Sequence, residues 1–297
     1  MRITNKVLSN NMLRNMYQTM RGMDKYQQML TTNKKINRPS DNPSGNITSL
    51  RMRTKLAQNE QFKENVTAAK SWLETTEDSL IAMGEIMQRG RELAIKGANG
   101  SNDEGALEAI AVEIDQLLDE MKVQANSKLS DRYIFGGTNT SEEIYNGTDW
   151  AGNSKIMLVE IGEGITTELN LDGKKIFGID DTPGNPDSIF ATLTNMSINL
   201  KNGELDKVGG EDLARFDTHI ETLLSARSEI GAKVNRIDMT MNRLEGSEAS
   251  YTKVLSDTED ADTAEVIIKL KEQENLYNAT LAAGARIIQP SLVDFLR

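Results

Sequence analysis

Two long heptad series constrain this chain more than any other feature. From Phe62, alternating steps of four and three land on Val66, Ala69, Leu73, Thr76, Leu80, Met83, Met87, Gly90 and Ala94, and eight of these ten positions are apolar. From Leu213 the same stepping gives Phe216, Ile220, Leu223, Arg227, Ile230, Val234, Ile237, Met241 and Leu244, broken only by Arg227. Apolar residues repeating every 3.5 positions for this long form a coiled-coil seam, since each helix keeps one narrow face towards a partner. The second series would run about 47 Å at a rise of 1.5 Å per residue.

Proline and glycine mark where such helices can lie. All five Pro fall in three places: Pro39 and Pro43, Pro183 and Pro186, and Pro290. The stretches between them are free to be long helices. Twelve of the 22 Gly lie in residues 131–210, together with the strand-like runs 156–161, 168–171 and 175–179. The middle therefore reads as a turn-rich β module. Ser101-x-x-Glu104 reads as a capping box before Leu107, Ile110, Ile114, Leu117 and Met121, and Asp262-x-x-Glu265 as a second helix start. The acidic run 257–262 lacks the Gly and terminal Glu of an EF-hand loop, so it reads as a break between two helices.

The expected fold is mainly α with a small β module. A long antiparallel coiled-coil-like bundle is made from the N- and C-terminal segments, with an inserted β-rich central domain. The expected divisions are a basic N-terminal helix and loop at 1–45, mobile in the monomer; rod helices at 46–130; the central domain at 131–210; a C-terminal rod helix at 211–256; and a terminal assembly helix at 257–297. The rod seam is expected at Phe62, Val66, Leu73, Leu80 and Met83 on one side. On the other it is expected at Leu213, Phe216, Ile220, Leu223, Val234, Ile237, Met241 and Leu244. Both ends carry narrow apolar seams interrupted by Gln: Leu13, Met16, Met20, Met23, Gln27 and Leu30 at the front, and Val266, Leu270, Gln273, Tyr277, Leu281, Gly284 and Ile288 at the back. Isolated helices of this kind are marginal in water, so each waits for a partner, either the other end or another subunit. The expected assembly interface is Leu13, Met16, Met20, Leu30, Leu270, Tyr277, Leu281, Ile288, Leu292 and Phe295.

Composition excludes most chemistry. There is no Cys and one His, and aromatics are 5% of the chain. Thiol nucleophiles, disulfides, zinc fingers and histidine-rich metal sites are ruled out. No phosphate-binding glycine motif is present: Gly162-Glu-Gly164 is a fragment without a following helix pattern. His219 falls between Phe216 and Ile220 and is expected on a helix flank or surface. Asp180-Asp181 and Glu142-Glu143 read as solvated loop charge. No catalytic, cofactor-binding or metal-binding residue is expected. Apolar runs reach about four residues, against the ~20 needed to cross a bilayer, so no membrane insertion is expected. The first eleven residues have no apolar core of signal-peptide length.

The net charge of −11 conceals a division. Residues 1–55 carry eleven Lys/Arg against Asp24 and Asp41, a balance of +9, and the remainder carries −20. A basic arm permits a nucleic-acid-associated coiled-coil protein, which would hold duplex DNA at 150 mM salt with a steep salt dependence. Against that reading, the bases are scattered among Asn, Gln, Met and Leu, with no helix-turn-helix, RNA-recognition or basic-zipper pattern. The same polarity suits head-to-tail packing of identical subunits.

Several motifs, in order at both ends, resemble the bacterial flagellin superfamily. They are Met1-Arg-Ile-Thr-Asn5, the loop 34–45 (Lys-Lys-Ile-Asn-Arg-Pro-Ser-Asp-Asn-Pro-Ser-Gly), the stretch 72–80, the stretch 226–237 and residues 260–265. Thr32-Asn33 departs from a Thr-Gly common in the family. Within the superfamily, residues 132–140 (Arg-Tyr-Ile-Phe-Gly-Gly-Thr-Asn-Thr) resemble a Tyr-[Leu/Ile]-Phe-x-Gly-Thr motif of the hook-associated branch, as does the ending 285–296. The resemblance implies a structural, non-enzymatic protein that polymerises as a ring at the junction between hook and filament. It also implies hook-associated protein 1 and flagellin as neighbours, an export chaperone, and passage through the flagellar type III apparatus without a cleaved signal. Filament flagellin is the alternative within the same family.

Overall fold

The computed structural model describes residues 5–100, 102–147, 149–179 and 187–288. The elements are α1 (Asn5–Thr32), α2 (Pro43–Gly97), α3 (Glu104–Ala125), β1 (Lys128–Leu129), β2 (Arg132–Tyr133), β3 (Leu158–Gly162), β4 (Ile165–Glu168), α4 (Gly173–Phe177), α5 (Ile189–Lys201), α6 (Leu205–Lys207), α7 (Leu213–Glu259) and α8 (Thr263–Ile288). A π-helical turn, Val208–Asp212, leads into α7. The chain divides into two compact units, residues 59–245 and residues 1–58 with 246–297.

In the 59–245 unit the two heptad series lie along α2 and α7. Val66, Leu73, Leu80, Met83, Phe216, Leu223, Ile237 and Leu244 are buried, and Phe62, Leu213, Ile220, Val234 and Met241 pack half-buried against them. Each fully buried side chain contributes roughly 1.5–3 kcal/mol and the half-buried ones less; together they fix the helices more firmly than propensity does. Ion pairs report the antiparallel register: Lys70–Asp238 at 2.7 Å and Arg91–Asp217 at 2.6 Å pair rising numbers on α2 with falling numbers on α7. Asn59, buried, donates to the Leu244 carbonyl at 3.0 Å. Thr76, the polar member of the first seam, satisfies its hydroxyl on the Trp72 carbonyl at 2.8 Å.

α3 buries Leu107, Ile110, Ala111, Ile114 and Met121. Its N-cap is Asp103, whose Oδ1 accepts from the Ala106 amide at 2.9 Å. Glu104 is the first helical residue, so it is not the third-position partner a capping box needs. Ser101 itself lies outside the described residues, as do Asp180 and Asp181.

The middle is less β-rich than expected. β3 and β4 form an antiparallel hairpin with Val159 opposite Thr167 and a bulge between Glu160 and Gly162, while β1 and β2 make a two-residue ladder. The run 175–179 is not a strand. Asp172 caps the short helix α4 through the Lys174 amide, and Gly178 ends it in a left-handed conformation (φ 66°). Residues 189–201 are also helical. Ser188 caps α5 on the Ala191 amide, and Ile189, Phe190, Leu193, Met196 and Leu200 form its buried face. Ile189, Leu193, Met196 and Leu200 are spaced four, three and four, a helix signal which the density of glycines around it obscured.

The chain's few rings are concentrated here. Phe177 lies 5.4 Å edge-on to Phe135, 5.4 Å stacked on Phe190 and 5.1 Å from Trp150, and Tyr145 stacks on Phe190 at 3.8 Å. The motif at 132–140 supplies part of this cluster, with Ile134 and Phe135 buried. Gly137 has φ 67°, and a Cβ there would stand 2.0 Å from the Asn153 carbonyl oxygen, so only glycine fits.

His219, expected on a helix flank or surface, lies on a flank of α7 that is covered and not solvent-exposed. It is buried, and its Nε2 shares a hydrogen bond with Thr192 Oγ1 at 3.1 Å. Burial pushes the imidazole down to about 4, with Asp187 opposing and Arg215 adding to the shift. The unfolded chain therefore binds a proton that the folded state resists. This contribution is complete above pH 6.5 and is lost as pH falls from 6.5 towards 4, to a limit on the order of 3 kcal/mol. Thermal melts at pH 7 and 4.5 should show that loss in the wild-type chain and a flatter profile in His219→Gln.

Candidate assembly surface

The unit formed by residues 1–58 and 246–297 is built on α1 and α8, which pack antiparallel. Neither terminal helix stands alone, as their narrow seams require. Gly284 on α8 receives Met12 of α1 so closely that a Cβ would lie 1.7 Å from the methionine Cε. Eleven residues along, Gln273 lies against Gly22 in the same way. α8 starts where expected: Asp262 Oδ1 accepts from the amides of Ala264 (2.9 Å) and Glu265 (3.2 Å), and Val266 is buried.

The segment after α1 is clamped to the end of α7. The Lys35 amide donates to the Glu259 carbonyl at 2.7 Å, and the Ala261 amide donates to the Asn33 carbonyl at 2.9 Å. Asn33 sits at φ 54°, a left-handed conformation that glycine adopts freely and asparagine tolerates. The departure from the family's glycine is thereby explained. Asn33→Gly should be near neutral, and Asn33→Val should cost roughly 1–2 kcal/mol in thermal melts. Beyond it, Ile36 is buried against Gly45, and Asp41 Oδ2 accepts from the Asn37 and Arg38 amides. Asn42 Oδ1 accepts from the Gly45 amide at 3.0 Å, so Asn42 caps α2 with Pro43 at its first position.

Glu259 is the electrostatic centre of this clamp. Its buried carboxylate takes Lys34 Nζ at 2.7 Å, Arg53 Nη2 at 2.7 Å and Ser49 Oγ at 2.6 Å. Burial alone would raise its pKa, but the hydrogen bonds from Lys34, Ser49 and Arg53 outweigh that and hold it at about 2. The stabilisation is therefore complete above pH 4.5 and lost as pH falls through 2, a lower window than that of His219. Glu259→Gln should destabilise this unit by about 2 kcal/mol, less than a fully buried pair would cost because Lys34 and Arg53 can turn to solvent. Differential hydrogen exchange in α1 and α8 would measure it.

The interface residues expected from sequence divide in two. Met16, Leu30, Leu270 and Tyr277 are half-buried, whereas Leu13, Met20 and Leu281 are 41%, 45% and 42% exposed. The side chain of Ile288 and all of Leu292 and Phe295 lie outside the described residues. Further exposed apolar side chains, Val7, Leu8, Tyr17, Ile267, Ile268 and Leu276, were missed by following one seam per helix. The signal was present in Leu13, Tyr17 and Met20, a second row stepping by four and three. Nothing in the sequence alone marked Glu259, Ser49 and Arg53 as a group. Their partners are more than 200 residues apart in the chain. Among the described residues no group of three or more His, Asp or Glu is placed to hold a metal, and no helix is long and apolar enough to cross a membrane.

Comparison with known proteins adds identity to this geometry. Residues 3–140 match the bacterial flagellin N-terminal helical region, and residues 213–296 match the bacterial flagellin C-terminal helical region. Flagellin of Bacillus subtilis (strain 168) is 26% identical over 301 residues, covering 97% of each chain. The fold is shared with a putative flagellar hook-associated protein from Vibrio parahaemolyticus (TM-score 0.68, 21% identity), which covers 74% of this chain and 100% of that one. Bacillus cereus FlgL is also similar, with a TM-score of 0.60 and 23% identity over 68% of this chain and 97% of that one.

Proposed function

The chain belongs to the bacterial flagellin family, and from that premise we propose that it is a structural subunit polymerising at the hook–filament junction, where it adapts the hook to the filament. A flagellar structural component needs a stiff shaft and faces that neighbours can cover. The 59–245 seams supply the first, and the exposed apolar rows of α1 and α8 supply the second. The observation that carries the junction reading is the shared fold. Two long helical seams with a small aromatic-centred module between them are the architecture of proteins described as hook-associated or FlgL. On this reading the subunit forms a ring with itself, meets hook-associated protein 1 on one side and flagellin on the other, and leaves the cell through the type III export apparatus, with a chaperone and without a cleaved signal.

A second reading, filament flagellin, is favoured by the end-to-end likeness to the Bacillus subtilis protein. Electron microscopy of a deletion strain separates the two. The junction role predicts hooks without filaments and flagellin shed into the medium. Normal filaments on the deletion strain would refute the junction role.

A further inference from the structure

We propose that Asn146 is a site of spontaneous covalent modification in the folded chain, converted through Gly147 to aspartate and isoaspartate, while the fold keeps the same chemistry away from Asn202. Where Asn precedes Gly, the glycine amide nitrogen reaches the Asn side-chain carbonyl carbon with no side chain of its own in the way. A C–N bond forms, the bond to Nδ2 breaks, and Nδ2 leaves with the glycine amide proton as ammonia. The product is a cyclic imide, which water opens at either carbonyl. One opening gives Asp; the other gives isoaspartate, in which the main chain runs through the former side chain. The balance is one water consumed and one ammonia released, and the chemistry does not depend on where the subunit sits.

Asn-Gly pairs occur at 99–100, 146–147 and 202–203. Two of them differ in little but their hydrogen bonds. Asn146 and Asn202 are both exposed, and the following glycines are exposed and left-handed, with φ 98° at Gly147 and 72° at Gly203. At the second pair the nucleophile is occupied. The Gly203 amide donates to the Leu200 carbonyl at 3.1 Å and the Glu204 amide to the Asn199 carbonyl at 2.9 Å, the paired bonds that close a helix C-terminus. Attack there has to break the cap first. The Gly147 amide donates to no group among the described residues. At the remaining pair, the Asn99 carbonyl is held by the Asn102 amide at 3.2 Å and its side chain at 2.9 Å, so that peptide is pinned as well.

The electrophile also favours Asn146. Its Oδ1 accepts the Asp149 amide at 2.8 Å. That donor draws charge from the carbonyl under attack and is already in place when the oxygen becomes an oxyanion, as backbone amides are in acyl-transfer sites. The change also reaches the interior. The Tyr145 hydroxyl donates to the Gly147 carbonyl at 3.1 Å, and Tyr145 bridges to Trp150. Tyr145 stacks on Phe190, and Trp150 lies beside Phe177. Isoaspartate adds a backbone atom between Tyr145 and Gly147, so this set of bonds cannot persist whole. Aspartate keeps the main chain and the acceptor for Asp149.

The test holds the purified full chain at pH 8, folded in buffer and unfolded in guanidinium chloride, and follows each Asn-Gly pair by peptide-resolved mass spectrometry. Dividing each site's folded rate by its unfolded rate cancels the effect of local sequence. The ratio for Asn146 should be one or higher and at least about tenfold above that for Asn202, because two hydrogen bonds must open before Gly203 can react. A ratio below one for Asn146, or a smaller separation from Asn202, overturns the proposal. Chains carrying isoaspartate at 146 should unfold at lower denaturant than Asn146→Asp; equal midpoints overturn the link to the ring cluster.

Discussion

Phe177→Ala is expected to destabilise the 59–245 unit by about 3–5 kcal/mol. Phe177 is fully buried and touches three other rings, so its loss leaves a cavity that Phe135, Trp150 and Phe190 cannot all close. The cost combines lost burial with lost edge and stacking contacts. A conservative Phe177→Leu should cost clearly less. The readout is the fluorescence of Trp72 and Trp150, both in this unit, during denaturant unfolding, and equal midpoints for wild type and Phe177→Ala would show that the ring cluster is not the keystone of the central module.

The second large effect is on assembly and not on stability. Leu13→Glu, Met20→Glu and Leu281→Glu combined place three charges on side chains that are already 41–45% exposed. Substitutions at exposed positions usually change stability by within about 0.5 kcal/mol, so the isolated chain should melt as wild type does. If neighbours cover these rows in the polymer, each buried carboxylate is prohibitive and filament-bearing cells should be nearly absent. Normal melting with normal assembly would mean that these rows stay in water. Impaired melting would mean that they belong to the fold of the single chain.

What the sequence disclosed and what it hid follow from the range of the forces involved. The seams at Phe62–Ala94 and Leu213–Leu244 were legible because a 3.5-residue repeat sums a weak preference over many turns. The break expected over 257–262 falls at 260–262, because α7 continues to Glu259; its end was legible because capping is local, and Asp262 does cap α8. α4 and α5 were hidden by composition: Gly173, Gly178 and their neighbours read as strand-and-turn punctuation, while the caps at Asp172 and Ser188 start helices between them. The burial of His219 was hidden because a helix flank is solvent or core according to what covers it, and Thr192 on α5 covers it. The Glu259 clamp was invisible for a different reason. Lys34, Ser49 and Arg53 meet a carboxylate more than 200 residues away, and no periodicity records such a meeting.

The position of the subunit in the flagellum can be read with gold-labelled antibody against the surface of residues 187–207 on intact wild-type flagella. A junction subunit gives a single narrow band of label where the hook ends and the filament begins. Label distributed along the filament would contradict it and identify the chain as a filament subunit.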